Sequence, residues 1–278
     1  MTPLLLNDII GDPRSLPSLP AVVLELMATM EKPDISIRRL ADHILLDGAL
    51  AARTLRLANS SFYGMSARVA TVEQGITILG LGTLRMLVTT VSLTTTLGRD
   101  DKLAFDYERF WKQAIATAIC AKNLAPLFEQ AAGTAFLAGL LHAIGELVIA
   151  TRCPVEHAAT VAYRHTMDCP QRDAEVAVTG IDHLAVGAAL LEHWRFPPAI
   201  ISAVARYDNP PRDDGLAVTV HLANVLAHAL DITGDAAEAI PQLSDTAWAL
   251  LSIEPAALSL LLDSVRLEYD SICQVLAP

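Results

Sequence analysis

Apolar residues recur along this chain at intervals of three and four, and no stretch alternates with period two for long enough to make a strand. Val22, Val23, Leu26, Met27 and Met30 form the first stripe, opened by Pro20 and stopped by Lys32-Pro33. Ser36 is placed to cap a second helix with Ile37, Leu40, Ala41, Ile44 and Leu45 inward, and Asp47-Gly48 ends it. A third turns Leu50, Ala51, Thr54, Leu55 and Ala58 inward and closes at Asn59-Ser60-Ser61-Phe62-Tyr63-Gly64. Thr71 and Gln74 have capping-box spacing, so a helix opens there and closes at Leu79-Gly80. Thr83 can cap the next, Leu84 to Leu97, whose threonines can bond back to carbonyls one turn earlier and bend it.

Phe105 to Leu124 predicts a helix stopped by Pro126. In the most apolar run, Phe136 to Val148, the residues Leu137, Leu140, Leu141, Ile144, Leu147 and Val148 share helical spacing, which predicts one helix deep in the core. Further helices are expected from Pro154 to His165, His183 to Trp194, Ala199 to Tyr207 and Leu216 to about Ile232, with two or three short ones after. Asn209 to Gly215 reads as a loop. The fold class is all-α. The polar interruption Gly98-Arg99-Asp100-Asp101-Lys102 suggests a boundary, giving an N-terminal helical subdomain (1–100), a helical core (101–211) and a C-terminal helical extension packing on it (212–278).

Composition sharpens this picture in three ways. Of the 278 residues 53% are hydrophobic but only 5% aromatic, a mixture that favours helices over strands. The net charge of -11 opposes general binding to nucleic acid or anionic membranes. Cys120, Cys153, Cys169 and Cys273 show neither CxxC nor metal-ligand spacing and read as reduced thiols. Leu4-Leu5-Leu6 lacks a basic segment before it, and both long apolar runs are interrupted by polar residues. A soluble cytoplasmic protein without membrane insertion is the expectation.

Few residues stand out chemically. His142 lies inside the most apolar run and needs a hydrogen-bond partner or a metal. It reads as a core histidine satisfied by a carbonyl or by Glu146 one turn on. His183 reads as a helix start beside Asp182, with phosphate binding as the sharper alternative. Glu146 and Glu175 have the makings of a buried acid pair, although lone helix carboxylates are usually solvated. Arg53, Arg56 and Asn59 fall about one turn apart. They read first as a polar bridge between subdomains and second as a docking surface or small-anion site. No Gly-rich phosphate loop or nucleophile elbow occurs.

Gly139-Leu-Leu-His142-Ala143-Ile-Gly145 resembles the metal-binding helix of the HD superfamily of phosphohydrolases, in which an aspartate follows the histidine. Further segments resemble the HDOD domain, an HD-related regulatory module of bacteria. They are Leu16-Pro-Ser-Leu-Pro20, Asp47-Gly48 with Leu55-Arg-Leu-Ala-Asn-Ser60, Gly75-Ile-Thr-Ile-Leu-Gly80, Phe110-Trp111, and Asp182-His183 through Gly187-Ala188, Leu191-Glu192, Trp194 and Pro197. The likeness runs from about Leu16 to Pro211 in unbroken order.

The resemblance also assigns positions to the HD ligands. The first ligand histidine falls on Gln113, the His-Asp pair on His142 and Ala143, and the last aspartate near Ala223-Asn224. His183 stands where some HD enzymes make a further metal or phosphate contact, and Tyr207-Asp208 replaces a His-His pair. A site at Gln113, His142, Ala143, His183 and Asn224 is therefore vestigial, with no metal, no cofactor and no catalytic residue expected. The implied function is a non-catalytic HD-like bundle acting as a signalling scaffold with a protein partner. The competing readings are a metal-dependent phosphohydrolase with rearranged ligands and a nucleotide-sensing module without turnover.

Overall fold

A computed structural model of the chain describes residues 4, 6, 9, 37–63, 69–97, 103, 105–231 and 240–276. The segment Leu16–Pro20, the first helix, the Ser36 cap, Gly64 and the Gly98–Lys102 boundary lie outside them. All regular structure among the described residues is helical. The helices are α1 (Ile37–Leu45), α2 (Gly48–Ala58), α3 (Val72–Thr96), α4 (Tyr107–Leu124), α5 (Ala132–Leu141), α6 (Ile144–Arg152), α7 (Pro154–Met167), α8 (Gln171–Thr179), α9 (His183–His193), α10 (Pro198–Arg206), α11 (Gly215–Ala229), α12 (Asp245–Leu250) and α13 (Pro255–Leu276). The chain divides into two compact units. One takes Met1–Pro17 with Arg99–Ser259, the other Ser18–Gly98 with Leu260–Pro278.

The first unit is built around α4. Asp106 caps it by accepting from the Arg109 amide at 2.9 Å, and an apolar run then buries Trp111, Ile115, Ile119 and Leu124. Each such side chain contributes roughly 1.5–3 kcal/mol on leaving water. Helices α5 and α11 pack on it and on each other. At Gly139, a Cβ would lie 2.9 Å from the Ala118 Cα, so α5 approaches the backbone of α4 where only hydrogen fits. Helices α6 and α9 pair, as do α9 and α10, and α7 and α8. Leu4 donates to the Thr179 carbonyl at 2.7 Å, and Ile9 is fully buried.

The second unit rests on α2 and α3. Asp47 caps α2 through the Ala49 and Leu50 amides, and Leu57 is buried on its inner face where the stripe had placed Leu55. The Thr71–Gln74 capping box is present. Gly80 (φ 73°, ψ 159°) breaks the helical run inside α3, and helical turns resume before Thr83, whose hydroxyl meets the Tyr63 hydroxyl at 3.4 Å instead of capping. Thr90 and Thr95 bond back to the Met86 and Val91 carbonyls, both at 2.8 Å.

Two stretches, Val72–Thr95 and Ala132–Arg152, are long and apolar enough to cross a membrane by length and composition alone. Gly80 breaks the first and His142-Ala143 the second, and 72% of the most apolar part of the second is buried inside the protein. Its hydrophobicity is accounted for by the core.

Candidate functional site

The expected single helix from Phe136 to Val148 is two. Helix α5 stops at Leu141, His142 and Ala143 form a turn, and α6 begins at Ile144. The cause is Gly145. A Cβ there would collide with the His183 carbonyl oxygen and lie 2.7 Å from the Gly187 amide nitrogen, so α6 presses its backbone onto α9. A straight continuation of α5 would not make that crossing. The two glycines carry no chemistry, but they set the His142 turn beside the first turn of α9.

His183 opens α9, with Asp182 capping through the Ala185 amide at 2.9 Å. Its ring is buried and fully engaged. Nδ1–H donates to Glu175 Oε2 at 2.6 Å, and Nε2–H donates to the Tyr207 hydroxyl at 2.9 Å. The same Glu175 oxygen accepts from the His183 backbone amide at 2.8 Å, and Gln171 donates to Glu175 Oε1 at 3.0 Å. Burial alone would lower the histidine pKa, but the Glu175 charge and hydrogen bond outweigh it and hold the ring protonated, up to about 9. Burial pushes the Tyr207 phenol well up, so it stays neutral and accepts from the imidazolium.

His142 is the opposite case. Nδ1–H donates to the Gly139 carbonyl at 2.7 Å, one turn earlier, and Glu146 is not its partner. Burial pushes it down to about 3, against the Gly139 carbonyl and the Asn224 amide, which favour the charged form. It is a neutral imidazole, set edge-on to the Tyr207 ring with centroids 5.1 Å apart. Burial raises part-buried Glu146 while His183 opposes it and Glu175 adds to it. Tyr207 also accepts from His221 Nδ1–H at 2.9 Å through its carbonyl, and His221 Nε2 takes the Ser244 amide at 2.9 Å.

The remaining expected positions lie on α4 and α11. Gln113 Nε2 is 2.6 Å from His228 Nδ1, which is 2.8 Å from the Asn224 carbonyl. Gln113 and Asn224 are thus joined through His228, His183 is bonded to Glu175 and Tyr207, and His142, beside Ala143 at the turn, meets the second group through the Tyr207 ring. Glu175, His228 and His221 were not picked out by spacing. A lone helix carboxylate is expected to be solvated, but Glu175 is 1% exposed. Its signal was faint: a lone acid eight residues before a helix-opening histidine.

The donor set does not fit a dication. Gln113 and Asn224 are neutral, Ala143 offers a methyl, and both His183 nitrogens already donate to protein groups. Among the described residues no three His, Cys, Asp or Glu side chains converge so as to hold a metal ion. In the second unit Asn59 is committed to the backbone, bonding the Leu55 carbonyl and both polar groups of Val69 at 2.8–2.9 Å. Arg56 is exposed; Arg53 is half-buried, and its Nη1 has no partner.

An all-helical unit with a buried histidine network at the turn between two helices is the arrangement of an HD-like domain. The HDOD domain matches residues 16–210, and the chain belongs to that family. In structure it is similar over 97% of both chains to an HDOD domain protein of Geobacter sulfurreducens (TM-score 0.82, 20% identity). A protein of Shewanella amazonensis SB2B, proposed to be a phosphohydrolase, is 25% identical with a TM-score of 0.76 over 97% of this chain and 98% of its own. A protein of Marinobacter aquaeolei VT8, proposed to act in signal transduction, is 25% identical with a TM-score of 0.74, covering 95% of this chain and 60% of its own. A Treponema pallidum (strain Nichols) protein is 27% identical over 222 residues, 78% of this chain but 43% of that one, so the chain spans less than half of that relative.

Proposed function

We propose that the chain is a non-catalytic regulatory module of a bacterial signalling pathway, working in the cytoplasm through contact with a protein partner. One observation carries this reading: the groups that would have to grip a dication are either neutral or already bonded to one another. Glu175 and Tyr207 take both His183 protons, and Gln113, Ala143 and Asn224 bring no charge. A partner then acts by shifting populations of helix packing, not by delivering a substrate to a reactive centre.

A second reading, a phosphohydrolase with a rearranged ligand set, is favoured by the proposed activity of the Shewanella protein. Elemental analysis of purified protein, with hydrolysis of bis(p-nitrophenyl) phosphate in the presence of manganese, iron or zinc, separates the two. Metal far below one equivalent and no turnover are expected. A near-unit metal content with turnover would establish the second reading.

A further inference from the structure

Where α4 faces α11, three buried side-chain oxygens have no hydrogen-bond partner: Gln113 Oε1, Thr117 Oγ1 and Asn224 Oδ1. Their residues are 9%, 0% and 8% exposed, so bulk solvent does not reach them. Gln113 and Thr117 stand one turn apart on the same face of α4. Gln113 is joined to Asn224 through His228, and the Asn224 amide acts on His142.

The orphan at Gln113 survives reversal of its amide. His228 Nδ1 lies near both the Gln113 amide nitrogen and the Asn224 carbonyl. If Nδ1–H donates to the carbonyl, Gln113 must present its oxygen to that ring, and its NH2 then becomes the buried end without a partner. Asn224 Oδ1 is likewise buried without a partner, one turn before His228 on α11. Buried polar atoms are almost always bonded to protein or to ordered water.

We propose that at least one internal water molecule is bound between α4 and α11, bonded to Thr117 Oγ1 and to the unpartnered amide ends of Gln113 and Asn224. Water fits because it can donate to two oxygens and also accept from an amide hydrogen. An anion would meet oxygens, and a dication would find no negative charge. The position is thus a neutral, hydrated pocket where the HD resemblance assigns ligands.

The test is Thr117→Val, which removes one hydroxyl at nearly constant shape, with Thr117→Ser as the variant that keeps it. A hydrated site loses a water bond in Thr117→Val, lowering the Tm by about 2–4 °C, and Thr117→Ser retains the wild-type value more closely. A dry site contains an oxygen better removed, so an unchanged or raised Tm in Thr117→Val overturns the proposal. A crystal structure of the full chain at high resolution reads the same question directly. Ordered solvent bonded to Thr117 Oγ1 and an amide supports it, whereas empty space or a metal ion there overturns it. Neither readout depends on whether the protein hydrolyses anything.

Discussion

His142 meets the ring of Tyr207 and His183 its hydroxyl, and both are buried, yet they sit at opposite ends of the imidazole range. His142 is pushed down to about 3 and His183 is raised to about 9. Desolvation acts on both in the same sense. The main difference is Glu175, 2.6 Å from His183 Nδ1 with Glu146 and Asp182 acting in the same sense, whereas His142 has the Gly139 carbonyl and the Asn224 amide but no carboxylate of its own. Within one core, the partner and not the depth decides which histidine is a cation. The HD resemblance treats both as remnants of one metal site; their bonding makes them two different structural devices.

The contrast depends on backbones brought together at Gly145, so Gly145→Ala is the most damaging substitution. The added methyl would collide with the His183 carbonyl on a helix start already bonded to Glu175. The loss should exceed the roughly 3 kcal/mol common for an overpacked core. Chemical denaturation checks it; a variant of wild-type stability would mean that α6 and α9 do not depend on this contact. At Gly187, where a methyl would meet neighbours at 3.3–3.4 Å, alanine should cost less.

Glu175→Gln removes the feature that separates the two histidines. It leaves a buried imidazolium without its counter-ion, and His183 must either lose its proton or stay unpaired. A loss of about 3 kcal/mol is expected. NMR titration should show His183 moving below the ordinary range towards His142. If His183 stays raised, some other charge holds it.

Much of this arrangement was legible in the sequence because it is local. The Thr71–Gln74 box, Asp182 beside His183, and the prolines before α7 and α10 act within one turn, and the helices begin where they predict. What was not legible is long-range. The break at His142-Ala143 comes from a contact between Gly145 and a helix some forty residues on, while the periodicity of leucines runs straight through it. Helix α8 is not predicted because Gln171–Thr179 has too few apolar residues for a stripe, and with it goes Glu175, whose charged partner His183 lies eight residues on, in the next helix. Tyr207 was read as an absent histidine, when its hydroxyl, carbonyl and ring each serve a different histidine.

The pH dependence of stability puts the comparison into one curve. Between about 6.5, the ordinary histidine value, and 9, folded His183 binds a proton that the unfolded chain does not. Its contribution is complete below 6.5 and is lost as the pH rises through 9, at most about 3 kcal/mol. Between 6.5 and 3 the sign reverses: the unfolded chain protonates His142 and the folded chain does not, so stability falls as the pH drops. Burial lowers His157 and His221 as well, which adds to the acid limb. Maximum stability near pH 6.5 is expected from urea midpoints across this range. In Glu175→Gln the alkaline limb should flatten while the acid limb remains, and parallel loss of both limbs would argue that the two histidines titrate as one unit.

Tyr207→Phe is the gentlest probe and the most selective. It deletes the hydroxyl that accepts the His183 Nε2–H at 2.9 Å but keeps the ring against which His142 is set edge-on. The backbone carbonyl that takes the His221 proton is untouched. One buried charged donor is left without its acceptor while the ion pair with Glu175 survives, so the cost should be about 1–2 kcal/mol. Losing a partner of the protonated form should lower the His183 pKa, though by less than Glu175→Gln does, and His142 should titrate as before. Equal movement of both histidines would show that the tyrosine couples them, and the independence inferred from their bonding would have to be abandoned.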